Sequence, residues 1–159
     1  MKMRILTPLI ILFCMACGSA NQTKKDAAEI QVSQKIILKA ANNNYVTINQ
    51  ENSFLLANQP DSAKAERFEV VDMGNGKSAL KSSGGKFVSA DLGQKASLIA
   101  NRDAANEWET FSIIKLDQSK INITNSTGKF VSADLGLGGY FFANREKPGD
   151  WETFSIEIK

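Results

Sequence analysis

The sequence predicts an all-β domain built from three similar repeats, because it repeats itself and lacks a long helical pattern. Residues 85–93, which read Gly-Lys-Phe-Val-Ser-Ala-Asp-Leu-Gly, recur unchanged as residues 128–136, an offset of 43 residues. Two further segments, Ala-Asn-Arg and Trp-Glu-Thr-Phe-Ser-Ile, recur at the same offset of 43 residues. Self-similarity at a fixed spacing is typical of folds assembled from repeated units.

A third, diverged copy precedes these two. Residues 44–47 align with residues 86–89, and residues 66–70 align with residues 109–113. The first repeat has one residue fewer between these two aligned blocks. The blocks therefore keep their order, and their spacing differs by a single residue. The predicted repeats cover about 35–76, 77–118 and 119–159.

Each repeat contains four short segments that are typical of β-strands. In the first repeat these are residues 35–39, 45–48, 54–57 and 67–71, which are rich in β-branched and aromatic side chains. Glycine and asparagine clusters separate the segments, as turns require. Three such units in a row would leave sheet edges open, whereas closure around a pseudo-threefold axis removes most edges. We therefore predict a β-trefoil, in which three hairpins cap a six-stranded barrel.

The repeated motifs also resemble those of fascin-like β-trefoil domains. That pattern is G-K-[FY]-V-x-A-x-x-G, then L-x-A-N-R, then W-E-x-F, and residues 85–93, 98–102 and 108–111 carry it. The resemblance covers about 35–159 and implies the trefoil fold. It also implies an association with polysaccharide-degrading machinery. The chain does not resemble ricin-type lectins, whose repeats carry a late Q-x-W.

The N-terminal segment is predicted to target the chain to a membrane. Residues 1–16 combine a basic start, Lys2 and Arg4, with an apolar run that is too short for a bilayer span of about 20 residues. Cys17 follows a small residue and resembles the lipid-accepting cysteine of bacterial lipoproteins. Residues 17–34 then form a polar tether. Asp directly after the cysteine would favour retention in the inner membrane, but this chain has Gly18 there. We therefore expect the outer membrane of the cell envelope, with the domain on either the periplasmic or the surface face.

Composition excludes several classes of function. The chain has 19 Lys and Arg against 17 Asp and Glu, and it contains no His. Removal of residues 1–16 takes away Lys2 and Arg4 but no acid, so the mature chain is formally neutral. Such a balance argues against nucleic-acid binding, and the lack of His excludes His-based triads and His metal ligands. We predict neither a metal nor a cofactor.

Repeated hydrophobic residues are interpreted as core, and repeated polar or aromatic ones as candidates for binding. Trp108 and Trp151 are able either to stack on a sugar or to close the barrel end, and we favour the structural role. Ala65 at the same place in the first repeat is the argument for a functional role. The ligand-binding candidates are Asp91, Asn101, Arg102, Trp108, Asp134, Tyr140, Asn144, Arg145 and Trp151.

The polar candidates each have a structural alternative. Arg102 and Arg145 either pair with Glu109 and Glu152 or present a planar donor fork to a carboxylate or sugar hydroxyl. Asp91 and its equivalent Asp134 either cap their own turns or accept sugar hydroxyls. Tyr140 aligns with a serine in the second repeat, which predicts an outward position and a stacking platform.

The predicted function is that of a monomeric, membrane-anchored, non-catalytic module that binds carbohydrate. The alternative is a protein-interaction trefoil, either similar to actin-binding domains or to protease inhibitors. An enzyme is disfavoured because the acids recur by duplication, whereas glycoside hydrolysis needs two carboxyl groups in different environments.

Overall fold

The computed structural model describes residues 34–159. The predicted signal peptide, the lipid-accepting Cys17 and the tether as far as residue 33 lie outside the described residues. Twelve strands and five 3-10 turns make up the described part, and it contains no α-helix. The strands are β1 (Gln34–Lys39), β2 (Tyr45–Ile48), β3 (Leu55–Gln59), β4 (Phe68–Gly74), β5 (Lys77–Lys81), β6 (Phe87–Asp91), β7 (Ser97–Arg102), β8 (Ser112–Lys115), β9 (Lys120–Thr124), β10 (Phe130–Asp134), β11 (Tyr140–Arg145) and β12 (Phe154–Ile158).

Six of these strands form a closed barrel. β1 pairs with β4 and β12, β4 pairs with β5, and β9 pairs with β8 and β12, all antiparallel. The circle closes between β5 and β8, where Ser78 and Phe111 exchange two backbone hydrogen bonds of 2.8 Å. The first and last described strands therefore lie side by side, and the Lys159 amide donates to the Lys35 carbonyl at 2.9 Å.

The other six strands form three hairpins that cap the barrel. They are β2–β3, β6–β7 and β10–β11, one from each repeat. Each hairpin is joined to the next by one equivalent backbone hydrogen bond. The amides of Ala57, Ala100 and Ala143 donate to the carbonyls of Gly139, Ser53 and Ala96 at 2.9, 2.9 and 2.7 Å. The predicted β-trefoil is therefore confirmed.

The cap hydrogen bonds depend on a left-handed residue in each hairpin turn. Ser53, Ala96 and Gly139 occupy this place with φ values of 62°, 59° and 85°. Only the third repeat uses glycine there, and a Cβ on Gly139 would lie 2.9 Å from the Ala57 carbonyl oxygen. The approach of β11 to β3 thus requires glycine at this position.

The core consists of threefold-related side chains inside the barrel and under the cap. Phe68, Phe111 and Phe154 are each 0% exposed, and Leu55, Leu98 and Phe141 are each 1% exposed. Phe141 stacks on Phe154 with ring centroids 5.3 Å apart. The prediction that the repeated hydrophobic residues form the core is confirmed for these positions, whereas Phe87 and Phe130 are only half-buried.

Candidate functional site

An arginine bridges two carboxylates in the second repeat. β6 ends at Asp91, β7 ends at Arg102, and the 3-10 turn Glu107–Glu109 packs against β6. The Arg102 guanidinium therefore lies between two acids: Nη2 is 3.6 Å from Asp91 Oδ2, and Nε is 3.6 Å from Glu109 Oε1. These are ion-pair distances, and the arginine side chain remains 41% exposed.

The third repeat contains the same arrangement. Arg145 Nη2 lies 3.3 Å from Asp134 Oδ2, and Nε lies 3.8 Å from Glu152 Oε1. The matching distances agree within a few tenths of an ångström between the two repeats. Each arginine therefore pairs within its own repeat through Nη2 and Nε, which is the structural one of the two alternatives that the sequence leaves open.

Backbone hydrogen bonds fix the buried carboxylates. Glu109 Oε2 accepts the amide of Asn106 at 2.9 Å, and Glu152 Oε2 accepts the amide of Gly149 at 2.7 Å. Both glutamates are buried, so the amide and the arginine together compensate the lost hydration of each carboxylate. The turn that carries each tryptophan is held in place by this pair of contacts.

Asp91 and Asp134 cap the turns that follow β6 and β10. Asp91 Oδ1 accepts the Gly93 amide at 2.9 Å, and Asp134 Oδ1 accepts the Leu137 amide at 3.1 Å. The capping role is thus confirmed, but it uses only one oxygen of each carboxylate. The other oxygen faces the arginine, which places each aspartate in the network as well.

The two tryptophans lie on the surface, so the buried indole on which the favoured structural role was based is not observed. Trp108 is 42% exposed and Trp151 is 38% exposed, whereas the phenylalanines three residues later fill the barrel. Trp108 borders a cavity of about 340 Å³ together with Arg102, Asn106, Glu107 and Glu109. An indole beside fixed polar groups is therefore open to solvent and to a ligand.

The two asparagine candidates are exposed next to the arginines. Asn101 and Asn144 lie at equivalent places in β7 and β11. No hydrogen bond or ion pair within residues 34–159 joins either side chain to the arginine–carboxylate network. The structure thus brings together the Asp, Arg and Trp candidates and leaves the asparagines beside them.

The argument that placed Tyr140 outward does not hold. Its equivalent, Ser97, is 4% exposed, and the Ser97 hydroxyl donates to the Gln94 carbonyl at 2.6 Å. A polar residue is buried there because a turn carbonyl accepts its hydrogen bond. Tyr140 itself is half-buried, lies opposite Asp134 across the hairpin, and meets Phe54 edge to face with centroids 6.0 Å apart.

The first repeat lacks the site. Asn49, Gln59 and Ala65 replace the aspartate, arginine and tryptophan, and Ala65 is buried. Glu66 keeps the place of Glu109 but accepts the amide of Ser83 at 2.6 Å. The described chain therefore carries two copies of the network, in the second and third repeats.

The acidic residue that directly precedes each tryptophan was missed as a candidate. Glu107 lines the cavity, and Asp150 occupies the equivalent place in the third repeat. The signal was present in the repeated order acid-Trp-acid at residues 107–109 and 150–152. Two neighbouring lysines are engaged elsewhere: Lys86 binds Asp103 and lowers the pKa of the Asp103 carboxyl, and Lys129 binds Glu146.

Residues 34–159 contain no cluster of three or more side chains suited to hold a metal ion. In the same part of the chain, no helix is long and apolar enough to cross a membrane.

Three solved structures share the fold at low sequence identity. The designed threefold-symmetric protein ThreeFoil has a TM-score of 0.68 at 12% identity, with 79% of this chain and 98% of that chain covered. SeviL, solved bound to the asialo-GM1 saccharide, has a TM-score of 0.60 at 12% identity, with 78% and 96% covered. A GlcNAcα1-4Gal-releasing endo-β-galactosidase from Clostridium perfringens has a TM-score of 0.65 at 9% identity.

The endo-β-galactosidase match covers 79% of this chain but only 32% of that enzyme. Likeness at these identities shows the fold alone. No curated protein matches the chain in sequence. A family match covers residues 72–159, which include both copies of the network and more than half of the chain. The chain belongs to the family described as Domain of unknown function (DUF7910).

Proposed function

We propose that the chain is a non-catalytic module that binds saccharides at two equivalent sites, one in the second repeat and one in the third. The observation that carries this proposal is the exposed tryptophan beside a fixed arginine–carboxylate network, repeated with nearly the same distances. A role in stability alone would not require an exposed indole at both places.

The chemistry of the site suits a sugar ring. An indole face offers an apolar platform on which the C–H face of a pyranose is able to stack. Carboxylate oxygens accept hydroxyl protons, and guanidinium N–H groups donate to hydroxyl oxygens. Because the network is already assembled, few side chains lose conformational freedom when a ligand binds.

Several features support binding rather than hydrolysis. The four carboxylates of the network, Asp91, Glu109, Asp134 and Glu152, are each engaged by an arginine and by a backbone amide. A general acid would need a carboxyl whose environment differs from that of its partner across one scissile bond. SeviL was solved with a saccharide bound, which supports carbohydrate as the class of ligand.

We further propose that the domain is a lipoprotein of the cell envelope, anchored through Cys17, and that its repeats are of the fascin-like type. A lipid anchor would array many copies on one surface. Two weak sites on each domain, multiplied over that array, would give avidity for a polymeric glycan.

The test uses the first repeat as a source of tolerated residues. Asp91→Asn, Arg102→Gln and Trp108→Ala each introduce the residue that the first repeat already carries. Binding of the full chain to a glycan array and to immobilised polysaccharides is measured for the parent and for each variant. We expect Trp108→Ala with Trp151→Ala to abolish binding, and either change alone to weaken it.

Leu116→Ala is the matched control, because Leu116 is 52% exposed and lies away from the network. Binding by the double tryptophan variant at the parental level would refute the proposal. Absence of binding to every saccharide by the parent would also refute it and would favour a protein-interaction trefoil.

A further inference from the structure

We infer that the two sites select uncharged or positively charged saccharides and exclude acidic ones, such as sialylated or sulfated glycans. This inference rests on the proposed function and adds the charge class of the ligand. It comes from the balance of ionised groups around each tryptophan.

The site of the second repeat has an excess of negative charge. Asp91 and Glu109 share the single guanidinium of Arg102. Glu107 lines the same cavity and adds a third carboxylate. Three carboxylates against one guanidinium leave two negative charges without a cation. Two lysines belong to this hairpin or border it: Lys86 binds Asp103, and Lys95 ends the turn that follows Asp91. Neither forms an ion pair with these carboxylates.

The third repeat keeps only part of this pattern. Asp134 and Glu152 share the guanidinium of Arg145, whereas Asp150, which stands in the sequence place of Glu107, lines a cavity with Lys39 and Lys120. In addition, Lys147 stands where the second repeat has Ala104, and it is exposed. The third-repeat site is therefore less negative, and its discrimination against acidic ligands is expected to be weaker.

Carboxylates in these places recognise donors and repel anions. Ionised carboxylates are acceptors only, so they bind sugar hydroxyls and, more strongly, the ammonium group of an amino sugar. At the second-repeat site, a sialic acid or sulfate group would approach two uncompensated negative charges. Its own charge would not find a free arginine, because each guanidinium already faces two carboxylates.

The experiment compares matched glycans that differ only in charge. The full chain is applied to an array in which each neutral glycan is printed beside its sialylated and its sulfated form. For the core that binds best, the dissociation constants of the free neutral and acidic forms are measured at low and at high salt. We expect the neutral form to bind at least about tenfold more tightly than the acidic form at low salt. The ratio should shrink at high salt, where exposed charges are screened.

Glu107→Gln in a Trp151→Ala background isolates the second-repeat site and removes one of its negative charges. We expect the neutral-to-acidic affinity ratio to fall several-fold. Glu51→Gln is the matched control, because it makes the same charge change in an exposed turn of the first repeat and should leave the ratio unchanged.

Equal or tighter binding of the acidic forms would overturn the inference. So would an affinity ratio that Glu107→Gln leaves unaltered. Either result, obtained with binding that still depends on Trp108, would leave the proposed function standing. Failure of neutral and acidic glycans alike to bind would instead refute the proposed function.

Discussion

The first repeat differs from the second and third on its surface but matches them in the core. Phe68 is as fully buried as Phe111 and Phe154, and the three hairpins are joined by equivalent hydrogen bonds. Yet Ala65 replaces the exposed tryptophan, and Gln59 replaces the arginine. Packing around a threefold axis thus constrains the inside of every repeat, whereas the outside is free to diverge. The groups that only the second and third repeats carry on the outside are those on which the proposed function depends.

The largest expected effect tests whether the core is as symmetric as it looks. Phe68→Ala, Phe111→Ala and Phe154→Ala should each cost about 3–5 kcal/mol of unfolding free energy, because each removes a ring that is 0% exposed. Urea denaturation measures the loss. A value for Phe68 that is far below the other two would show that the first repeat has a looser core.

The tryptophans should affect stability less than these phenylalanines do. Trp108→Ala and Trp151→Ala should each cost roughly 1–2 kcal/mol, because a large part of each indole is already in water. Thermal melting and saccharide binding are measured on the same samples. A loss of stability as large as that of Phe111→Ala, with binding retained, would return the tryptophans to a structural role.

A smaller difference is expected between glutamates at equivalent positions. Glu109→Gln should cost about 1 kcal/mol, because the neutral amide weakens the contact with Arg102 but is still able to accept the Asn106 amide. Partial exposure of the arginine limits the effect. Glu66→Gln in the first repeat should cost less, since Gln59 offers no charge there. Equal losses in urea denaturation would contradict the view that the arginine sets the difference.

The smallest effect concerns acid stability at the junction of β2 and β12. Hydrogen bonds from Lys159 and from Tyr45 lower the pKa of the Glu157 carboxyl. A carboxylate whose pKa is lower in the folded state stabilises the fold at pH values above its pKa in the unfolded chain, which is near 4.3. This stabilisation is lost as the pH falls through the pKa of the folded state. Glu157→Gln should therefore lower the melting temperature slightly at pH 7, and the gap should close as the pH falls through the lowered pKa of the folded state. A gap that is independent of pH would rule out the carboxylate as its source.

The sequence predicted the trefoil because repetition fixes how many times a strand pattern must recur. For the arginines it left two alternatives, and the structure shows the one in which they pair within their own repeats. Burial of single side chains was harder to predict, because hydrophobicity does not reveal which of two neighbouring aromatic residues faces inward. Trp108 and Phe111 lie three residues apart, and only Phe111 enters the barrel.

Polar residues were misplaced in the opposite direction, because a serine expected on the surface is buried. Ser97 is buried because the Gln94 carbonyl, which belongs to a turn, accepts its hydroxyl proton. Such a partner exists only once the backbone has folded. Glu107 was missed although the acid-Trp-acid order is repeated, because its importance depends on the cavity that it lines beside Trp108.

The pairing of β1 with β12 makes the described domain suitable for circular permutation. Because the Lys159 amide meets the Lys35 carbonyl at 2.9 Å, a short linker would join the end of the third repeat to the start of the first. New termini could then open in the exposed turn between β4 and β5, where Asn75 and Gly76 have positive φ. A circular permutant of this kind would place the two repeats that carry the arginine–carboxylate network ahead of the one that lacks it, without changing a core contact. The order of the repeats along the chain is therefore separable from the architecture they build.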